Sequence, residues 1–126
     1  MVTGSGNGAA GNGAAEIDKL ADCPALAAIR TISGKWKTRI LWCLRDGERH
    51  FGELRREIGV SAKVLSEQLR ALERDGLIGT TTVREGAVDR TVVAYTPYGR
   101  TLIPALDLLG AWGAHHMAGR TGTGPE

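Results

Sequence analysis

The feature that most constrains the fold is a change of hydrophobic period near the middle of the chain. Leu65, Leu69 and Leu72 recur at the spacing that places side chains on one face of a helix. Farther along, residues 77–84 and 90–96 are rich in Val, Ile, Thr and Tyr, which is typical of β-strands. The fold must therefore join a helical half to a β-hairpin.

The helix that carries the three leucines has recognisable ends. Ser61 is of the residue type that caps helix N-termini, and Asp75 and Gly76 mark the other end. A shorter helical segment, Phe51–Ile58, precedes it across a tight Gly-Val-Ser turn. A short helix, a tight turn and a longer capped helix together predict a helix-turn-helix.

The two β-rich segments predict a hairpin whose loop covers residues 85–89. A hairpin directly after the second helix of a helix-turn-helix is a wing. Arg84 and Arg90 flank the tip of this predicted wing, where a guanidinium can contact the DNA backbone or enter the minor groove.

Helical spacing predicts three further helices, at Pro24–Ile32, residues 35–46 and residues 97–117. The first and last of these are more apolar than one small domain requires, and pairing them across a two-fold axis would bury both. A homodimer is therefore expected, although the last helix can instead be core for a monomer. The expected interface residues are Leu26, Ile29, Leu106, Leu109 and Trp112.

The two ends of the chain differ in composition from its middle. Residues 1–20 form a Gly- and Ala-rich segment and residues 118–126 have a similar character, so neither can bury enough apolar surface to offset its ordering entropy. We expect a disordered N-terminal tail and a flexible C-terminal tail around a domain at residues 21–117. The predicted fold class is mainly α with a small β-hairpin, an α+β winged helix-turn-helix with N- and C-terminal dimerisation helices.

The distribution of charge favours a nucleic-acid partner. The net charge is only +2, but residues 35–100 contain 13 Lys or Arg against 9 Asp or Glu, an excess with the right sign for a phosphate backbone. Lys35 and Lys37 lie beside a helix N-terminus, whose dipole also favours anions. These two lysines are predicted phosphate contacts, together with Arg84 and Arg90 of the wing.

The exposed side of the helix after Ser61 is suited to the major groove. Its side chains are small or hydrogen-bonding near the N-terminus, as base recognition requires. The predicted DNA contacts of this recognition helix are Ser61, Ala62, Lys63, Ser66, Glu67, Gln68 and Arg70.

Glu67 needs its own explanation, because a carboxylate repels phosphate. It indicates either a contact with cytosine or an ion pair with Lys63 or Arg70, which lie four and three positions away. The ion pair is the favoured interpretation.

Other function classes find no support in the sequence. It contains no Gly-rich phosphate loop, no acid pair in a cleft-forming context and no supported Cys-His-Asp arrangement, so neither an enzyme nor a bound cofactor is expected. Adjacent residues on a helix point about 100° apart, so His115 and His116 do not suggest a metal site. No apolar run approaches the length of a membrane span, and we expect a cytoplasmic, nucleoid-associated protein without a membrane partner.

Several short motifs occur in an order that resembles the HxlR-type regulators, which are similar to the wider MarR-like group. They are CP at residues 23–24, GKWK at 34–37, RHFGEL at 49–54, LSEQLRALERDGLI at 65–78 and YTPYGR at 95–100. The resemblance covers roughly residues 22–117, and several motifs in one order are more specific than any alone. It implies a bacterial winged-helix dimer, with the first and last helices at the interface and the fourth helix in the major groove.

Cys23 is the candidate redox sensor. It lies next to Pro24 at the start of a helix, where the helix dipole favours the reactive thiolate. The resemblance implies that Cys23 responds to oxidants or electrophiles, as the cysteine of this Cys-Pro pair does in several HxlR-type regulators. The alternative is a small apolar residue at the dimer interface, with Asp22 opposing thiolate formation. Cys43, on a mainly apolar helix, is expected to be an inert core residue.

The sequence thus predicts a sequence-specific transcriptional regulator, either repressor or activator, whose homodimer binds a pseudo-palindromic operator in double-stranded DNA. Redox or electrophile control through Cys23 is the first hypothesis for its regulation. A second is control by a small apolar effector between the first and last helices, near Trp42 and Trp112. A third interpretation is a winged-helix protein interaction module that binds no nucleic acid.

Overall fold

The computed structural model describes residues 22–121. The predicted tail at residues 1–20, and residues 122–126 of the predicted C-terminal tail, lie outside the described residues. The chain falls into two units that meet in sequence between Thr38 and Arg39. The second unit contains the helix-turn-helix and the wing.

Helix α1, Pro24–Ile32, has the bounds that the sequence predicts. Pro24 occupies its first turn, where a missing N–H leaves no helical hydrogen bond unmade, and Cys23 is its N-cap. The helix ends at Ile32 with Ser33 as its C-cap, and Gly34 follows with a φ of 137°. The chain therefore leaves α1 through a conformation that favours glycine.

Helix α2, Lys37–Leu44, is shorter than the predicted residues 35–46. A turn at Gly47 leads to strand β1, Arg49–His50, which the sequence analysis did not predict. Its two residues have no apolar alternation, so their strand conformation depends on a partner strand. The buried side chains of α2 are Ile40, Leu41, Cys43 and Leu44.

The predicted helix-turn-helix consists of helix α3, Phe51–Ile58, and helix α4, Ala62–Arg74. Helix α3 ends at Gly59, which adopts a left-handed φ of 83°, a conformation that glycine reaches without steric cost. The backbone N–H of Val64 donates to Ser61 Oγ at 3.1 Å. This side-chain cap confirms the predicted start of α4.

Strands β2, Ile78–Glu85, and β3, Val88–Tyr95, form the antiparallel hairpin that we call the wing. β1 pairs antiparallel with the other edge of β3, which gives the strand order β1-β3-β2. The sheet therefore consists of the two wing strands and the short strand β1, which directly precedes the helix Phe51–Ile58 in the chain.

The loop at the tip of the wing is shorter than predicted. Glu85 pairs directly with Val88, so the loop contains only the two residues between them, and the predicted loop at residues 85–89 was too long. Gly86 has a φ of 65°, and a glycine in this conformation lets two strands reverse through a two-residue turn.

The long helix predicted at residues 97–117 is divided in the structure. Helix α5, Pro97–Arg100, is followed by a turn and then by helix α6, Ile103–Thr121. Pro104 explains the break, because its ring would clash with the carbonyl four positions earlier and its nitrogen has no hydrogen to donate. Helix α6 also passes the predicted end and includes residues 118–121 of the predicted tail.

The core of the second unit draws on the helices and on the sheet. Tyr95 lies at its edge, where its hydroxyl donates to the backbone carbonyl of Leu41 at 2.6 Å. Burial raises the pKa of Tyr95 to about 12, so the phenol keeps this proton at neutral pH. The fully buried side chains are Ile40, Leu41, Leu44, Leu54, Leu65, Leu72, Val93 and Leu106.

Candidate nucleic-acid interface

One side of α4 faces the core and the other faces solvent. Leu65, Leu69 and Leu72 are buried, and residues three and four positions apart share a helix face. This burial leaves Lys63 and Arg70 exposed. We call the exposed side the recognition face, and its residues are Ala62, Lys63, Ser66, Glu67 and Arg70.

The other two predicted contacts of α4 lie differently. Ser61 is exposed, but its hydroxyl oxygen already accepts the capping hydrogen bond of α4. Gln68 is half-buried, and a residue two positions from Arg70 lies about 160° around a helix from it. Gln68 therefore lies outside the recognition face as defined above, and its contact with DNA stays a prediction.

Glu67 does not form the ion pair that the sequence favoured. Within residues 22–121, the ion pairs do not include Glu67, Lys63 or Arg70. All three side chains are exposed on adjacent turns of one helix face. The recognition face therefore presents two cations and one carboxylate whose charges are available to a ligand.

Arg84 and Arg90, the predicted DNA contacts of the wing, each form an ion pair with a wing carboxylate. Arg84 Nη1 lies 3.1 Å from Asp89 Oδ1, and Arg90 Nε lies 3.1 Å from Glu85 Oε1. Both arginine side chains remain more than half exposed, at 67% and 52%, and exposed ion pairs contribute little to stability. A phosphate group can therefore replace either carboxylate at small energetic cost.

A histidine that the sequence analysis did not single out ties the tip of the wing to α3. His50, the N-cap of α3, has Nε2 at 2.8 Å from Glu85 Oε2 and Nδ1 at 3.3 Å from Glu53 Oε1. Its backbone N–H donates to Glu53 Oε1 at 3.0 Å. The hydrogen bond to Glu85, with a further one to Glu53, raises the pKa of His50, while the hydrogen bonds from His50 lower the pKa of Glu53.

A second contact joins the wing to the recognition helix. Thr80 Oγ1 of β2 donates to Glu73 Oε2 of α4 at 2.9 Å. Beside this bond lies a surface groove of about 310 Å³. Ser66 and Arg70 of the recognition face form part of its wall, so the groove adjoins the surface predicted to contact DNA. The complete lining is Phe51, Ser66, Leu69, Arg70, Glu73, Thr80 and Thr91.

The two lysines predicted to contact phosphate belong to the first unit. Lys35 is exposed, and its Nζ lies 5.0 Å from the centre of the Trp36 ring. Lys37 is half-buried at the first residue of α2. The Lys35 ammonium keeps its charge over the aromatic face, and both lysines stay predicted phosphate contacts.

The two cysteines occupy different environments. Cys23 is exposed with a free thiol, and its Sγ accepts a hydrogen bond from the backbone N–H of Leu26 at 3.4 Å. Cys43 is buried, with Sγ 3.7 Å from Glu57 Oε2. Burial, together with the carboxylate of Glu57, raises the pKa of Cys43, so its thiolate fraction is small. Of the two thiols, Cys23 is the one open to reagents.

The predicted dimer surface is present only in part. Leu106 is 1% exposed, so its side chain packs within the chain, and the prediction that it faces a partner was wrong. Leu109 and Trp112 of α6 are exposed, at 49% and 63%, and so is Leu108, which the sequence analysis did not single out, at 74%. We call these three residues the α6 apolar patch.

The two predicted interface residues of α1 and the His115–His116 pair of α6 lie in separate units of the chain. In α1, Ile29 is 56% exposed and Leu26 is half-buried. The ring of His116 stacks on Trp112 with a centroid distance of 5.0 Å. Among residues 22–121, no three His, Cys, Asp or Glu side chains cluster as metal ligands. Over the same part of the chain, no helix has the length and apolarity that crossing a membrane requires.

Comparison with known proteins supplies the family context. The model of the HxlR-like helix-turn-helix family matches residues 31–121. The uncharacterized HTH-type transcriptional regulator YtcD of Bacillus subtilis (strain 168) is 38% identical over 92 residues, 72% of this chain and 72% of the relative. Among solved structures, the redox regulator HypR in its reduced form matches with a TM-score of 0.68 and 29% identity, over 75% of this chain and 94% of HypR. Its oxidized form matches with a TM-score of 0.65 and 31% identity, over 74% of this chain and 96% of HypR.

The contact between His50 and the wing predicts a pH dependence. Because the hydrogen bond to Glu85 raises the pKa of His50 above 6.5, the contact stabilises the wing fully below the unfolded-state pKa and weakens as the pH rises through the folded-state pKa. In an NMR titration of the imidazole, Glu85→Gln should lower the pKa of His50 toward its ordinary value.

Asp89→Asn is the matched control for this titration, because it removes a wing carboxylate that pairs with Arg84 rather than with His50. His50 should titrate in this variant as in the unmodified protein. If Glu85→Gln leaves the His50 titration unchanged, the contact between the wing and α3 is absent in solution.

Proposed function

The chain belongs to the HxlR-like helix-turn-helix family and is a transcriptional regulator, and from this premise we propose that it binds a pseudo-palindromic operator in double-stranded DNA as a homodimer. The observation that carries the proposal is the recognition face, where Lys63 and Arg70 are exposed on a capped, core-packed helix and form no ion pair within residues 22–121. In the proposed complex α4 enters the major groove. We further propose that the protein is cytoplasmic and associated with the nucleoid.

The proposed complex assigns different contacts to different elements. The recognition face contacts base edges, and Lys35 and Lys37 neutralise phosphates. Arg84 and Arg90 exchange their carboxylate partners for phosphates, since both ion pairs are exposed. Base contacts supply sequence preference, whereas phosphate contacts supply affinity that falls with salt.

Dimerisation is proposed from the α6 apolar patch. Leu108, Leu109 and Trp112 are exposed, and the 19-residue α6 carries few charged side chains to keep such a surface in water. A contiguous apolar surface of this kind marks an interaction site. A two-fold axis through this surface would set two recognition helices about 34 Å apart, one helical turn of DNA.

Control of DNA binding is proposed to act through Cys23. Its thiol is free and exposed at the N-terminus of α1, and the chain is similar to HypR, a redox regulator solved in reduced and oxidized forms. A quinone would accept the Cys23 sulfur at a ring carbon, forming a C–S bond while the thiol proton passes to the ring oxygen. The bound ring would add a bulky group at the N-terminus of α1.

The base-contact role of Lys63 and Arg70 can be tested by a salt series of gel shifts, using DNA from upstream of the gene and random DNA. Lys63→Ala and Arg70→Ala should each weaken binding to the specific fragment by about 1–3 kcal/mol, roughly 5- to 150-fold, with a smaller loss on random DNA. If each variant loses the same affinity for the specific fragment as for random DNA, these residues contact phosphate rather than bases.

Lys35→Ala is the matched control in the same series, since it also removes one positive charge. It should weaken binding to both DNAs alike and reduce the slope of log affinity against log salt by about 1.

The dimer can be tested by analytical ultracentrifugation. Trp112→Glu places a charge in the α6 apolar patch and should raise the dimer dissociation constant by about 30-fold or more, as loss of a buried interface tryptophan does. Tyr98→Glu is the control, because Tyr98 is equally exposed, at 66%, but lies in α5. A Trp112→Glu protein that sediments as the unmodified dimer would place the interface elsewhere.

The role of Cys23 can be tested by measuring DNA binding before and after benzoquinone. Binding by the unmodified protein should change by roughly tenfold or more, and Cys23→Ser should abolish the change. Cys43→Ala should respond as the unmodified protein does, since Cys43 is buried. A Cys23→Ser protein that still responds refutes the sensor, and an unresponsive unmodified protein favours a small-molecule effector instead.

A further inference from the structure

We infer that Glu67 is a specificity-determining residue that recognises a cytosine in each half of the operator. The inference rests on the proposed function, because it requires α4 to lie in the major groove. It goes beyond that function by naming the base and the side chain that selects it.

Glu67 lies in the middle of the exposed side of α4. The side chain is exposed and takes part in no ion pair among the residues that the structure describes. Positions four and three apart lie about 40° and 60° apart around a helix, so Glu67 lies on the same face as Lys63 and Arg70. A helix that brings these cations to base edges brings the Glu67 carboxylate there as well.

The negative charge of the Glu67 carboxylate limits what it can contact in the major groove. The major groove lies between two phosphate backbones, so an ionised carboxylate is repelled unless it accepts a hydrogen bond from the DNA. Lys63 and Arg70 do not pair with Glu67 in the free protein, and in the complex their donors are proposed to bind DNA. The partner of Glu67 must then be a donor on a base.

The four bases differ in the hydrogen-bond donors and acceptors that they present in the major groove. Only cytosine N4 and adenine N6 donate hydrogen bonds into the major groove, and adenine also presents the N7 acceptor, which repels a carboxylate oxygen. The major-groove edge of cytosine carries no acceptor. A glutamate therefore selects cytosine over adenine, and it rejects thymine and guanine, which offer it only acceptors.

The spacing of Lys63 and Arg70 along α4 also predicts the bases that lie next to the cytosine. Lys63 and Arg70 are separated by about 10 Å along the helix axis, close to three base-pair steps of about 3.4 Å. Both side chains are donors and suit the O6 and N7 acceptors of guanine. The expected half-site thus places a cytosine for Glu67 among guanines for Lys63 and Arg70.

The experiment is selection of bound duplexes from a pool of random double-stranded DNA by the full chain and by Glu67→Gln. The unmodified protein should enrich a pseudo-palindromic motif with cytosine at one position of each half-site. Glu67→Gln should move the preference at that position to adenine, because glutamine pairs with adenine N6 and N7, and should lower the preference for cytosine roughly tenfold.

Glu48→Gln is the control for the lost negative charge, since Glu48 is exposed and lies outside α4. It should enrich the same motif as the unmodified protein. A Glu67→Gln protein that selects the unchanged motif overturns the inference, even if its affinity for all DNA rises, because Glu67 then only repels phosphate. If the unmodified protein enriches no motif, the proposed operator binding itself fails, and the inference fails with it.

Discussion

The rest of the structure depends on one constraint, which is that α4 must bury one face and expose the other. Leu65, Leu69 and Leu72 lie in the core, and burying a leucine side chain contributes on the order of 1.5–3 kcal/mol relative to exposure. This burial determines the rotation of α4 about its own axis. Lys63 and Arg70 are directed to solvent as a result, so core packing orients the surface that the proposed function uses.

The outer part of the wing is held by polar contacts, because its side chains are exposed, whereas the base of the wing packs Val93 and Tyr95 into the core. Thr80 ties its base to Glu73 of α4, and Glu85 ties its tip to His50 at the start of α3. Both helices of the helix-turn-helix thus hold the wing. The contact at the tip involves a titratable imidazole, so its strength changes with pH, unlike that of the Thr80 contact.

The charged side chains fall into two groups with different roles. Arg45 lies over the Trp42 ring at 3.6 Å and pairs with Asp107 at 3.1 Å, so its charge serves packing between α2 and α6. On the recognition face, by contrast, Lys63, Glu67 and Arg70 form no ion pair in the part of the chain that the structure describes. A side chain without an internal partner loses less on binding DNA, because no existing ion pair has to break.

The sequence by itself determined the helices and their caps, because these signals are local. Ser61 caps α4 at the expected residue, and the family motifs identified the fold and the regulator class. Pro104 was a local signal for the break before α6 that the sequence analysis overlooked. Only the tertiary structure decided that Arg49–His50 forms a strand, that Leu106 is buried and that Glu67 forms no ion pair with the other described residues. Caps and periodicity depend on neighbours within a few positions, whereas strand pairing, burial and ion pairs depend on which distant segments meet.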